Sequence, residues 1–204
     1  MLIAHLVPGY FAVTQSQKTW QPEWTRQQRI LLWIAALVST FVPDLDVIYN
    51  ALFRGFFNHS TLWTHSLFPH LGVLACWYIL HLSKRWPYLQ TLVGLVAVGG
   101  LSHLALDVIS HGTPLLYPIS LHSFGSEIIP RRIIDGGFWA YITDPLFLLE
   151  PLLITLAIGY GLTRQTTNPR TRRLLVVGLS TCLIIFVGVF LTFLPVLQSS
   201  VRDR

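Results

Sequence analysis

The sequence predicts an all-α protein: a polytopic membrane helix bundle of about five to six helices, with a His/Asp cluster at one membrane face. Three observations lead there. Charged residues make up 11% of the 204-residue chain, against roughly 25% in an ordinary soluble domain. Hydrophobic residues make up 52% and the mean hydropathy is +0.57, too apolar for a soluble fold of this length to cover its core with polar surface. Most of the residues capable of binding metal fall at the ends of the apolar stretches. No internal repeat or low-complexity tract interrupts the chain, so residues 1–204 read as a single integral membrane domain.

A helix that crosses the hydrocarbon layer needs about 20 apolar residues. The first stretch, Leu2 to Val13, is short and contains His5 and Pro8. It has no basic n-region, so it reads as a partly inserted helix rather than a cleaved signal peptide. Ile30 to Val42 is also short and stops at Pro43. Ser66 to Leu82 carries His70 and His81, which read as core histidines with satisfied hydrogen bonds. Leu89 to Ile109 is long and ends with His103 and Asp107. Pro145 to Leu162 carries Glu150, and Leu174 to Pro195 carries no charge at all. Short spans with polar groups imply helices packed around something polar, because such groups at membrane depth must find partners inside the protein. Cys76 and Cys182 both fall in apolar spans, which argues against a disulfide framework or a zinc-cysteine site.

The net charge of +5 does not point to nucleic acid, since the basic residues flank apolar spans and read as topology signals. If every segment crosses, Lys18, Arg26, Arg29, Lys84, Arg85, Arg164, Arg170, Arg172 and Arg173 share one side. Arg54, Arg131, Arg132, Arg202 and Arg204 share the other. The more basic side is then the cytoplasm, and the expected location is the inner (plasma) membrane, crossed several times.

The polar residues of interest lie on the less basic, extracytoplasmic side. They are His5, Asp44 and Asp46, His59 and His65, then His103, Asp107 and His111, with His122 and Glu127 in the loop that follows. His103, Asp107 and His111 are four apart and so share one helix face. That helix is expected to stop near His111, because Gly112 and Pro114 follow. An imidazole and a carboxylate one turn apart can reach one metal ion. Neutral imidazole with carboxylate suits Zn²⁺, with Mn²⁺ and Fe²⁺ as alternatives. Taken singly, Asp44 and Asp46 after a proline also read as a helix boundary or cap, and His103 with Asp107 as a buried hydrogen-bonded pair. Those separate readings leave unexplained why the residues share one face, and an intramembrane Asp is costly enough to suggest function.

At these residues the chain resembles the membrane-bound metal-dependent hydrolases of bacteria and archaea, the YdjM-like inner-membrane proteins. The matching elements are Ala4-His5-Leu6, Pro43-Asp44-Leu45-Asp46, Thr64-His65-Ser66-Leu67, and Ser102-His103 through Asp107 running into Gly112-Thr113-Pro114-Leu115-Leu116-Tyr117-Pro118. They span roughly residues 1–120, and residues 145–195 match as two further membrane helices. The family pattern His-Arg-Gly-x-Thr-His-Ser is altered here, since His59 lies one residue further from His65 and the Arg-Gly is missing. His65 therefore carries over, whereas His59, His111 and His122 do not. A remoter similarity to zinc-dependent phospholipase C, in the order His, Asp, His, His-x-x-x-Asp, suggests a phosphoester or lipid headgroup substrate. The Arg131-Arg132 pair is suited to a phosphate and equally to anchoring a helix end.

The resemblance implies a metal-dependent hydrolase working through a metal-activated water. His5, Asp44, Asp46, His65, His103 and Asp107 are the expected metal residues, with Asp44 as the candidate catalytic base. Expected partners are membrane lipid and a phosphoester or lipid-like substrate, with no nucleic acid. The alternatives are a metal or proton transporter, for which Glu150 speaks, and a non-catalytic scaffold stapled by metal. The sequence leaves the substrate, the number of ions and the oligomeric state open.

Overall fold

The structure is a computed structural model, and it describes residues 4–54, 62–110, 112–125, 149–164 and 169–202. Regular structure among the described residues is helical. The chain divides into two compact units, His5–Gly137 and a second that contains Phe138–Arg204.

The first unit contains α1 (Leu6–Ser16), α2 (Arg26–Val38), α3 (Leu45–Phe53), α4 (Leu67–Ser83) and α5 (Pro87–Ser110). α5 is its axis, because α1, α2, α4 and the tight turn Ser39–Phe41 all pack on it. Small residues make that possible. A Cβ at Gly99 would run into the side chain of Ser39, and one at Gly100 into the ring of His70. Ser39 in turn donates its hydroxyl to the carbonyls of Ala36 (3.2 Å) and Leu95 (3.4 Å), tying α2 to α5.

The helix ends follow local chemistry. Thr25 starts α2 with a reciprocal cap: its hydroxyl accepts from the Gln28 amide, and the Gln28 side chain accepts from the Thr25 amide. Ser66 starts α4 by accepting from the Phe68 amide at 3.2 Å. α5 ends at Ser110, and Gly112 takes a positive φ of 74° while donating to the Asp107 carbonyl at 2.9 Å. The stop expected near His111 is thus present, although His111 itself lies outside the described residues.

The two ends of this unit differ in kind. At the end holding the start of α5, an apolar core joins Val13, Trp24, Leu32, Ala36 and Leu95, with Trp20 and Tyr88 packed against it. Trp24 and Tyr88 meet edge to face at 5.4 Å. The end holding the close of α5 is polar and is described below.

The second unit contains α6 (Leu149–Arg164) packed on α7 (Pro169–Arg202). Of the five to six expected crossings, two helices among the described residues are long and apolar enough: α5, and Pro169–Gly188 within α7. α4 is apolar but shorter. The segment at 30–42 divides into α2 and the turn, and α3 is an additional short helix that hydropathy did not mark.

Candidate metal centre

Four elements bring the site together. His5 stands at the N-terminal edge of α1. Asp44 precedes α3, and Asp46 lies in its first turn. His65 closes the short turn Trp63–His65. His103 and Asp107 are one turn apart on α5. Asp44 occupies a capping position, yet its carboxylate makes no capping hydrogen bond. It faces the histidines instead.

The contacts form a closed set. His103 Nε2 lies 3.1 Å from Asp107 Oδ2 and 3.5 Å from Asp44 Oδ1. His65 Nε2 lies 3.4 Å from the same Asp107 oxygen and 3.6 Å from the same Asp44 oxygen. His5 Nε2 approaches the other oxygen of Asp107 at 3.4 Å, and its ring stacks on His103 with centroids 3.9 Å apart. Donors tetrahedrally arranged about a zinc ion at roughly 2.0–2.1 Å are themselves about 3.3 Å apart, which is the spacing found here. Among the described residues, His103 Nε2 and His5 Nδ1 are buried without a hydrogen bond, an arrangement that is costly unless a cation completes the site. Three overlapping groups of these residues are spaced to hold a metal ion: His5, Asp44 and His103; His65, His103 and Asp107; Asp44, Asp46 and His65.

The remaining nitrogens are oriented from outside the set. His103 Nδ1 donates to the Thr40 carbonyl at 2.6 Å, which turns Nε2 inward as an acceptor. His65 Nδ1 lies 3.1 Å from Asp46 Oδ2. Asp46 therefore sits behind His65, on the side away from the Nε2 contacts. Burial disfavours the charged form of His65, but the carboxylates of Asp107, Asp44 and Asp46 override this and push its pKa up to about 11.

The cluster is nearly closed to solvent. The side chains of His65, His103, Asp46 and Asp107 are fully buried, and only Asp44 reaches outward, with 20% of its side chain exposed. All six expected metal residues therefore lie in one cluster. His122 does not join it: it is exposed and leans edge-on against Phe124. His59, His111, Glu127, Arg131 and Arg132 lie outside the described residues. His70 is a satisfied interior histidine, with Nε2 3.0 Å from the Thr64 carbonyl. His81 departs from the expectation of a core residue, being exposed, stacked on Trp77 and paired with Gln90.

Sequence reasoning missed one contributor to the site and two further buried polar residues. The Thr40 carbonyl carries no side-chain signature. Asn50 is fully buried one turn beyond Asp46, and that four-residue spacing of two polar residues in an apolar run was a readable sign of α3. Thr113 has a buried hydroxyl without a hydrogen-bond partner among the described residues.

Fold and site together define the class: an α-helical membrane protein with a buried cluster of His and Asp side chains able to hold a metal ion. The chain belongs to the YdjM inner membrane protein family, whose model matches residues 1–194. That match runs well past residue 120 and takes in α6 and much of α7. No curated protein and no solved structure matches the chain.

Proposed function

We propose that this protein is a multi-pass inner-membrane hydrolase that cleaves a phosphoester at a divalent metal centre, with the centre on the extracytoplasmic face. The observation that carries the reading is the meeting of two imidazole Nε2 atoms with the carboxylates of Asp44 and Asp107 at 3.1–3.6 Å. This set, together with His5, fits a first-row divalent ion, Zn²⁺ before Mn²⁺ or Fe²⁺. Such an ion supplies Lewis acidity toward water and toward a phosphoryl oxygen.

The chain's own residues supply the rest. His65, His103, Asp107 and His5 would hold the ion, with Asp44 beside them, and Asp46 and the Thr40 carbonyl fix the rings of His65 and His103. In this reading Asp44, the one partly exposed member, accepts a proton from water as its oxygen bonds to phosphorus. The bond from phosphorus to the leaving oxygen breaks, and Asp44 returns the proton to that oxygen.

The test is metal content per chain by elemental analysis of detergent-purified protein, together with release of product from phosphoester substrates. Wild type is expected to carry about one or more transition-metal ions per chain, and Asp107→Ala to lose them while still inserting. Wild-type protein free of metal under metal-preserving conditions would overturn the reading.

Glu150 supports a second reading, transport. It is buried on α6, and ionisable groups at membrane depth often mark ion pathways. Metal-dependent uptake into proteoliposomes, abolished by Glu150→Gln, is the result that reading requires.

A further inference from the structure

Helix α3 is inverted with respect to an ordinary surface helix. Its inward residues are Asp46 and Asn50, both fully buried. Its outward residues are Leu45, Ile48, Tyr49, Leu52 and Phe53, with Leu52 and Phe53 72% and 73% exposed. In water this is the wrong way round, since each apolar side chain left outside forgoes about 25 cal/mol per Å² of burial. In lipid it is the expected arrangement, because the apolar face is solvated by acyl chains and the polar face must find partners inside the protein.

Other apolar side chains near the site in sequence or in the loop after α5 are exposed as well. Trp63, two residues before His65, is 59% exposed, and Ile119 and Leu121 in the loop after α5 are each 79% exposed. That loop is pinned beside the site, since the Leu67 amide donates to the Leu115 carbonyl at 2.8 Å. Arg54, just past the end of α3, lays its guanidinium over the Tyr49 ring at 5.5 Å. An arginine at the edge of an apolar face can keep its stem in lipid and its charge among headgroups.

Depth along α5 agrees. Tyr88, in the aromatic cluster at the basic end, stands about 22 Å from His103 and about 28 Å from Asp107 at 1.5 Å per residue. A hydrocarbon core is about 30 Å thick. If the aromatic and basic residues mark one interface, the cluster lies at or just inside the other, at headgroup level.

We propose that the outer face of α3 is in contact with lipid, and that the site meets a lipid-borne phosphoester from the adjacent leaflet at its partly exposed member, Asp44, rather than a soluble one from water. At about 13 Å, α3 is too short to cross the bilayer and stays within that leaflet. The substrate class rests on the hydrolase reading above; the lipid contact does not.

Two measurements test this on the full chain reconstituted in vesicles of phosphatidylethanolamine and phosphatidylglycerol. First, a nitroxide is attached at Leu52→Cys after Cys76 and Cys182 are replaced by serine. It is expected to be relaxed more by oxygen, which concentrates in lipid, than by an aqueous nickel chelate. The reverse order overturns the lipid contact whatever the enzyme does. Second, Phe53→Glu is expected to lower hydrolysis of the vesicle phospholipids by about tenfold or more. It should leave metal content and hydrolysis of bis(p-nitrophenyl) phosphate unchanged. Equal loss on both substrates, or loss on neither, overturns the lipid-borne substrate. Wild type that cleaves neither substrate removes the hydrolase reading and the substrate class with it, and the nitroxide result still decides the lipid contact.

Discussion

Helices α5 and α7 both pass for membrane crossings, yet they solve opposite problems. In α5, 39% of the most apolar window is buried, against 0% in α7. α5 is interrupted by Gly94, Gly99, Gly100, His103 and Asp107, and each interruption coincides with a neighbour: Trp77, Ser39 and His70 against the three glycines, Thr40 behind His103 and His65 beside Asp107. α7 keeps large apolar side chains such as Leu183, Ile184 and Val187 exposed. Hydropathy alone ranks the two together. What separates them is the small and polar residues, because close helix approach needs small residues and an intramembrane charge needs a partner.

This contrast orders the effects expected from substitution. The largest belong to the polar end of α5. His103→Ala should reduce bound metal to background, as for Asp107→Ala, while membrane insertion persists. Elemental analysis beside a fractionation assay checks it, and full metal content would break the equation of polar burial with the site.

Next come the glycines. Gly99→Leu forces a side chain into Ser39 and should destabilise the protein by about 1–3 kcal/mol, read as a lowered melting temperature in detergent. Gly188→Leu on α7, where a Cβ meets open space, should leave the melting temperature unchanged. Equal losses in both would erase the distinction between the helices.

A smaller effect sharpens the roles within the site. Asp46→Asn keeps an acceptor behind His65 but removes its charge, and metal affinity should fall by about 10–100-fold with stoichiometry retained. Competition against a chelator measures it. Loss as complete as in Asp107→Ala would instead make Asp46 a direct ligand. The smallest effect is expected for Ile184→Leu, on the exposed face of α7, within about 0.5 kcal/mol of wild type.

Much of the first unit was readable along the chain. The helices at 67–83 and 87–110 fall within a residue or two of the apolar runs that announce them. The stop after Ser110 follows from Gly112 and Pro114. α3 was not read from hydropathy, because its outward side chains and its neighbours are equally apolar. Only the spacing of Asp46 and Asn50 betrays its inner face.

The site divides along the same line. The sequence by itself determined the all-helical, lipid-compatible composition, the donor types, and the sharing of one face by His103 and Asp107, since 3.6 residues per turn is a local property of the backbone. Tertiary structure alone decided that His5, Asp44 and His65 reach that face, that Thr40 and Asp46 stand behind two of the rings, and that His81 and His122 stay outside. Those outcomes depend on how closely α1, α2 and α4 approach α5. That distance is set by side-chain volumes meeting across helices, such as Gly99 against Ser39, which no spacing within one segment records.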